Sequence, residues 1–159
     1  MPNRLRQCAI GLLLAGSLWS AMAQAAAATP PRSLQATLDA HLAAINARDL
    51  DALLATVTRG ERLTLILPNG QVLDTREQFR ALHVDWFAER DWRMRFEIRS
   101  LRELGDVGVA LVKYESQALQ ADGSFQTRRN AWLSLVFAKE ADGWRLVYDQ
   151  NTVIPPATP

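Results

Sequence analysis

Two histidines, two tyrosines and a polar stretch near the C-terminus are the side chains of this sequence best suited to acid–base chemistry. His83 falls in a segment where Phe79, Leu82, His83 and Trp86 recur at i, i+3, i+4 and i+7, which places the imidazole on an apolar helix face. An imidazole there, with an ordinary pKa of about 6.5, suits a general base. A hydrogen-bonded core histidine leaves the same signature. Tyr114 shares a strand face with Ala110, Val112 and Ser116. Its hydroxyl there either donates a hydrogen bond to a carbonyl or oxyanion, or packs at a pocket rim. Gly108 and Ala110 on the same face leave room for a ligand or a helix. His41, beside Leu38 and Leu42, reads as a boundary residue. The two histidines lack a carboxylate pair at metal-ligand spacing, and no metal or other cofactor is expected.

The final hairpin decides which polar residues reach the interior. Asp142-Gly143 is a strong two-residue turn signal. A turn there pairs Ala141 with Trp144, Phe137 with Tyr148, and Leu135 with Gln150. In that register Leu133, Leu135, Phe137, Leu146 and Tyr148 face the helices and Gln150 is a polar group at the wide end of a pocket. Asp149 and Trp132 then lie on the outer face, Asp149 as an exposed carboxylate near an arginine. A slip of one residue exchanges the faces, and Asp149 becomes the best acid or base in the protein. The expected ligand-binding set is His83, Trp86, Tyr114, Tyr148, Gln150 and Asn151, and the catalytic candidates are His83, Tyr114 and Asp149.

Positioning these residues requires helices followed by long strands. Leu34, Leu38, Leu42 and Ile45 form an amphipathic stripe, with Ser33 as its N-cap. Asp49 caps a second helix over residues 50–57. A short strand over 63–67, a Pro68-Asn69-Gly70 turn and a return over 71–73 precede a third helix, which starts from a Thr75/Gln78 capping box and runs over 76–89. From Met94 the period changes to two, and Met94, Phe96 and Ile98 alternate with charged residues. Long strands follow over 107–119, 125–139 and 144–153. The order predicts an α+β domain with helices on one side of a curved, mostly antiparallel sheet.

Composition bounds the remaining possibilities. With 159 residues, 48% hydrophobic and 22% charged, the chain suits one globular domain and excludes a disordered or disulfide-dense class. Residues 1–23 have the layout of a secretory signal peptide, with Arg4 and Arg6 ahead of an apolar run and Ala21-Met22-Ala23 after it. The apolar run is shorter than the roughly 20 residues of a membrane span. Removing 1–23 takes two of the 18 basic residues and none of the 17 acidic ones, so a formal +1 becomes −1. Cys8, the single cysteine, leaves with that segment. A periplasmic or secreted domain over 33–155 is expected after a linker over 24–32. Its charge gives no basis for nucleic-acid binding, and stable membrane insertion is not expected once the signal is removed.

The stretches LAAINARDLDALLATV, LPNGQVLDTREQFRALHVDWF, ELGDVGVALVKYESQAL and SLVFAKEADGWRLVYDQNT, in this order, resemble the opening helices, hairpin and third helix, middle strand and closing hairpin of the nuclear transport factor 2-like, or SnoaL-like, superfamily. The closing hairpin also resembles that of the calcium/calmodulin-dependent kinase association domain and its bacterial relatives. A His-x-His pair is common there on the final strand, whereas this chain has Tyr148 and Gln150. The resemblance implies a conical half-barrel whose sheet wraps around a pocket closed by helices, and the aromatic and apolar lining with few polar groups suits a small, largely apolar molecule. The superfamily includes ketosteroid isomerases, in which a tyrosine stabilises an oxyanion, as well as polyketide cyclases, scytalone dehydratase and members that only bind or dimerise. A cofactor-independent isomerase, dehydratase or cyclase, and a homodimeric interaction module acting through an outer face around Trp132, Val136 and Val147, are the alternatives to simple ligand binding. Fold alone does not choose among them.

Overall fold

A computed structural model describes residues 32–156. Residues 1–31, which hold the expected signal segment, Cys8 and all of the expected linker but Arg32, and residues 157–159 lie outside the described residues. Three helices and six strands follow in the order α1 (Leu34–Ala47), α2 (Leu50–Leu54), β1 (Arg62–Ile66), β2 (Val72–Thr75), α3 (Arg76–Ala88), β3 (Trp92–Leu104), β4 (Val107–Leu119), β5 (Phe125–Glu140) and β6 (Gly143–Val153). They form the expected α+β plan, a curved, unclosed sheet of order β2-β1-β6-β5-β4-β3 with helices over its concave face. Every strand pair is antiparallel except β1 with β6. Among the described residues no helix is long and apolar enough to cross a membrane.

The helix starts follow the capping residues. Ser33 accepts from the Ala36 N–H, Asp49 from Ala52 and Thr75 from Gln78, each satisfying an N–H that has no partner within its helix. Gln78 completes the box one residue earlier than expected, accepting from the Asp74 N–H at 3.0 Å. The second helix ends at Leu54, not 57, because β6 recruits the following backbone. The Leu146 N–H donates to the Thr56 carbonyl, and the Thr58 N–H donates to the Leu146 carbonyl, both at 2.9 Å. Long-range pairing overrides local helix preference there.

The core lies between the concave face and the helices. Leu38, Leu53, Leu63, Phe79, Leu135, Phe137 and Leu146 are fully buried, and α1 fits closely because Gly108 has no side chain. A Cβ there would stand 2.5 Å from Leu34 Cδ1, so the room left by Gly108 is taken by the helix, not by a ligand. His41 is not a boundary residue. It is 1% exposed, and its Nδ1 bonds to Thr56 Oγ1 at 2.8 Å.

Besides a register shift between Arg62 and Leu65 in β1, three β-bulges interrupt the period-two pattern of the long strands, at Arg99 in β3, Arg128 in β5 and Val147 in β6. The last corrects the expected hairpin. Glu140 pairs with Gly143, so Ala141 and Asp142 form the turn, and Phe137 pairs with Leu146. Val147 is then unpaired, and Leu135 pairs with Asp149 while Leu133 pairs with Asn151. The inward set is therefore Trp144 and Leu146 before the bulge and Asp149 and Asn151 after it. Tyr148 and Gln150 face away from the pocket and bond to each other, the Tyr148 hydroxyl donating to Gln150 Oε1 at 2.7 Å.

Candidate active site in the sheet concavity

A cavity of about 400 Å³ opens between α3 and the concave face of the sheet. Its apolar lining comes mainly from Trp86 on α3, Trp92, Met94 and Phe96 on β3, Leu65 on β1 and Leu133 on β5. Trp86 and Trp92 stack at 4.5 Å between centroids, and the Trp92 indole N–H donates to the Trp86 carbonyl at 3.1 Å. Arg48 fixes this wall. It takes the left-handed conformation at the end of α1, with φ 54°. Its guanidinium lies 4.0 Å from the Trp92 ring centroid and donates to the carbonyls of Glu89 and Trp92. The end of the first helix is thereby tied to the connection between α3 and β3.

Into this apolar space β6 and β4 project a polar chain. The Tyr114 hydroxyl donates to Asn151 Oδ1 at 3.0 Å. Asn151 Nδ2 donates to the Ile66 carbonyl at 3.0 Å and more weakly to Asp149 Oδ1 at 3.4 Å. The Ile66 carbonyl can only accept, which fixes the amide orientation. Asp149 is 7% exposed and flanked in register by Leu65 on β1 and Leu135 on β5. No cation lies at ion-pair distance from it among the described residues. Burial pushes its carboxyl up to about 7, because ionisation in this setting loses hydration without gaining a counter-charge. Burial likewise pushes Tyr114 up, opposed by Arg129, while the Asp149 charge adds to the rise.

His83 also lines the cavity, packed between Phe79 and Phe87 with ring centroids at 4.1 and 5.4 Å. Its Nδ1 bonds to the Phe79 carbonyl at 2.7 Å, so Nδ1 carries the proton and Nε2 is left as an acceptor. His41 has the same tautomer. Thr56 uses its one hydroxyl proton on the Leu53 carbonyl, so His41 Nδ1 must donate to the hydroxyl oxygen. Burial lowers His83 to about 4, against the raising effect of the Phe79 carbonyl. Burial, and secondarily the His83 charge, lowers His41 to about 3. Both imidazoles are neutral near pH 7, and a base with a pKa near 4 is poorly matched to that pH. Of the two, the Asp149 carboxyl, not the His83 imidazole, lies in the range suited to proton exchange near pH 7.

Of the expected ligand-binding residues, His83, Trp86, Tyr114 and Asn151 meet in the cavity. Tyr148 and Gln150 do not, because the Val147 bulge turns them to the opposite face, and Asp149 takes the interior position. Sequence reasoning missed Arg128 and Arg129 at the cavity mouth, and Asp85 and Glu89 on its opposite rim. Two arginines in succession within a strand were the available signal, since strict alternation sends one of them outward. Among the described residues no group of three metal-ligating side chains occurs.

The SnoaL-like domain family matches residues 34–155, and the chain belongs to that family. Solved structures share the fold at low identity. A protein from Thiobacillus denitrificans provisionally described as a calcium/calmodulin-dependent protein kinase type II association domain superposes with a TM-score of 0.69 at 23% identity, over 80% of this chain and 99% of its own. A ketosteroid isomerase-like protein from Erwinia carotovora atroseptica gives 0.63 at 20%, over 77% and 94%. A nuclear transport factor 2-like superfamily protein from Salmonella enterica gives 0.63 at 17%, over 77% and 89%. No curated protein matches the sequence.

The buried carboxyl makes a prediction for stability. The native state holds on Asp149 a proton that the unfolded chain releases near pH 3.8, so this residue's contribution falls as pH rises from about 4 to about 7. The two histidines act in the opposite direction, gaining stability as pH rises through their lowered pKa values towards 6.5, and do so equally in an Asp149 variant. Asp149→Asn is therefore expected to be more stable than the parent at pH 8, by on the order of 2–4 kcal/mol, with the advantage shrinking towards pH 4.5. Urea unfolding of both proteins at the two pH values measures it. A stability difference that does not change with pH would contradict the assignment.

Proposed function

We propose that the domain binds a small, largely apolar molecule in this cavity and catalyses proton transfer on it with its own side chains. The observation that carries the reading is the convergence of Asp149, Asn151 and Tyr114 in one apolar cavity, with the carboxyl free of any ion pair among the described residues. An ionised Asp149 takes a proton from carbon beside a substrate carbonyl, and the electron pair moves to the carbonyl oxygen. Tyr114 turns its hydroxyl from Asn151 to that oxygen. The proton on Asp149 then returns to a different carbon in an isomerisation, or to a departing hydroxyl in a dehydration. Before substrate binds, Asn151 orients the carboxyl and the phenol towards each other, and the tryptophan wall binds the apolar body of the substrate. His83, with Nδ1 committed to Phe79, offers Nε2 as an acceptor for a substrate hydroxyl.

Exchange of α-hydrogens for deuterium in D2O, followed by NMR with a panel of apolar cyclic ketones, tests this reading whatever the product. Asp149→Asn is expected to slow exchange by about 10²–10⁴-fold, and Tyr114→Phe by about 10²-fold. Exchange that persists unchanged in Asp149→Asn removes Asp149 from the mechanism.

We further infer that the domain works outside the cytoplasm, periplasmic or secreted, and as a homodimer. Arg4, Arg6 and the apolar run before Ala21-Met22-Ala23 support export. The outer face of the sheet supports association, since Val107 and Val109 are 44% and 36% exposed beside the strand that carries Trp132 and Val136. Native mass spectrometry of the protein from the exported fraction is expected to give twice the mass of a chain lacking residues 1–23. A monomer at all concentrations contradicts the association, and an uncleaved chain contradicts signal processing.

A further inference from the structure

The main cavity has rims of opposite charge. Asp85 and Glu89 stand on the α3 side, and Arg128 and Arg129 on the β5 side. The arginines are there because of the second bulge. Ser116 pairs with Arg129 and Gln117 with Thr127, so Arg128 is the extra residue, and both successive residues line the cavity where strict alternation would supply one. Arg129 lies diagonally across the strand pair from Tyr114, whose partner is Ala131, close enough to act on the phenol.

Four arginines of the described residues are ion-paired, and the rest, Arg128 and Arg129 among them, are not. Arg59, Arg80, Arg99 and Arg145 each have a carboxylate at ion-pair distance. Among the described residues Arg128 and Arg129 have none, even though Asp85 and Glu89 line the same cavity. A second recess, of about 510 Å³, adjoins the same pair. Its charged lining is Lys113, Arg128 and Arg129, with no acid among them. A guanidinium at the mouth of an apolar cavity is a planar double donor matched to a carboxylate.

We propose that the ligand of this cavity is an apolar carboxylate, its hydrocarbon body against Trp86 and Trp92 and its anionic group at the mouth on Arg128 and Arg129. The inference rests on the small-molecule reading of the cavity given above and adds the charge and orientation of the ligand. Anchoring at the β5 rim keeps the anion away from Asp85 and Glu89 and leaves the body of the molecule beside Tyr114 and Asp149.

Calorimetric titration with a matched pair, 2-naphthoate and the neutral 2-naphthamide, separates the two claims. The amide reports the apolar cavity, and the difference between the probes reports the arginines. The expected result is binding of both, with the carboxylate about tenfold tighter or more at low salt. Arg128→Gln with Arg129→Gln is expected to abolish the difference, with carboxylate affinity falling about tenfold or more and amide affinity changing far less. Both arginines are exposed, and a thermal melt establishes that the variant is folded. Amide binding without a carboxylate preference, or a preference that survives the double substitution, overturns the inference and leaves the cavity reading standing. Failure of both probes to bind overturns both.

Discussion

The architecture of the site depends on one unpaired residue in β6. A strand sends alternate side chains to opposite faces, yet this strand must serve two demands of opposite parity. Near the turn, Trp144 and Leu146 close the narrow end of the core. Further along, Asp149 and Asn151 face the cavity. The Val147 bulge reconciles them by removing one residue from the pairing, and the inward set changes from even to odd numbers. Without it Tyr148 and Gln150 would occupy the interior. With it they bond to each other on the far face, and a carboxyl is held between two leucines at the expense of its hydration.

Other irregularities serve the same end. The Arg128 bulge brings two guanidiniums to the mouth. The left-handed Arg48 ends α1 and pins the tryptophan wall to it, so the apolar side of the cavity is held by a cation–π contact and two carbonyl bonds. Regular strands supply the packed end of the cone, and departures from regularity supply its open end. Local rules broken where polar groups converge are what a functional site leads one to expect.

Much of the fold is legible in the sequence because its signals are local. Ser33, Asp49 and Thr75 cap the helices that their positions predict, and β4 spans the residues its alternation marks out. What cannot be read depends on distant partners. The second helix stops early because Leu146, far along the chain, captures Thr56 and Thr58. His41 is buried through a bond to Thr56 that a single-helix reading does not contain. Val147 is an ordinary strand valine, without the glycine or proline that flags some bulges. A regular hairpin therefore puts Asp149 outside, and its burial and raised pKa follow only from the register that turns it inward. His83, Trp86, Tyr114 and Asn151 reach the cavity as expected. The arginines escape a sequence reading because an arginine pair in a strand ordinarily includes one solvent-facing residue.

Asp149 is an inward carboxyl whose ionisation is suppressed by burial among apolar neighbours, so that its pKa rises to about 7. Its titration can be followed directly by carbon-detected NMR of protein labelled at aspartate carboxyl carbons, with Asp149→Asn supplying the assignment. A midpoint near pH 7 is expected for this one resonance. A midpoint in the ordinary aspartate range, near 3.9, would mean that the carboxyl is solvated, and would contradict both the β6 register and the acid–base role built on it.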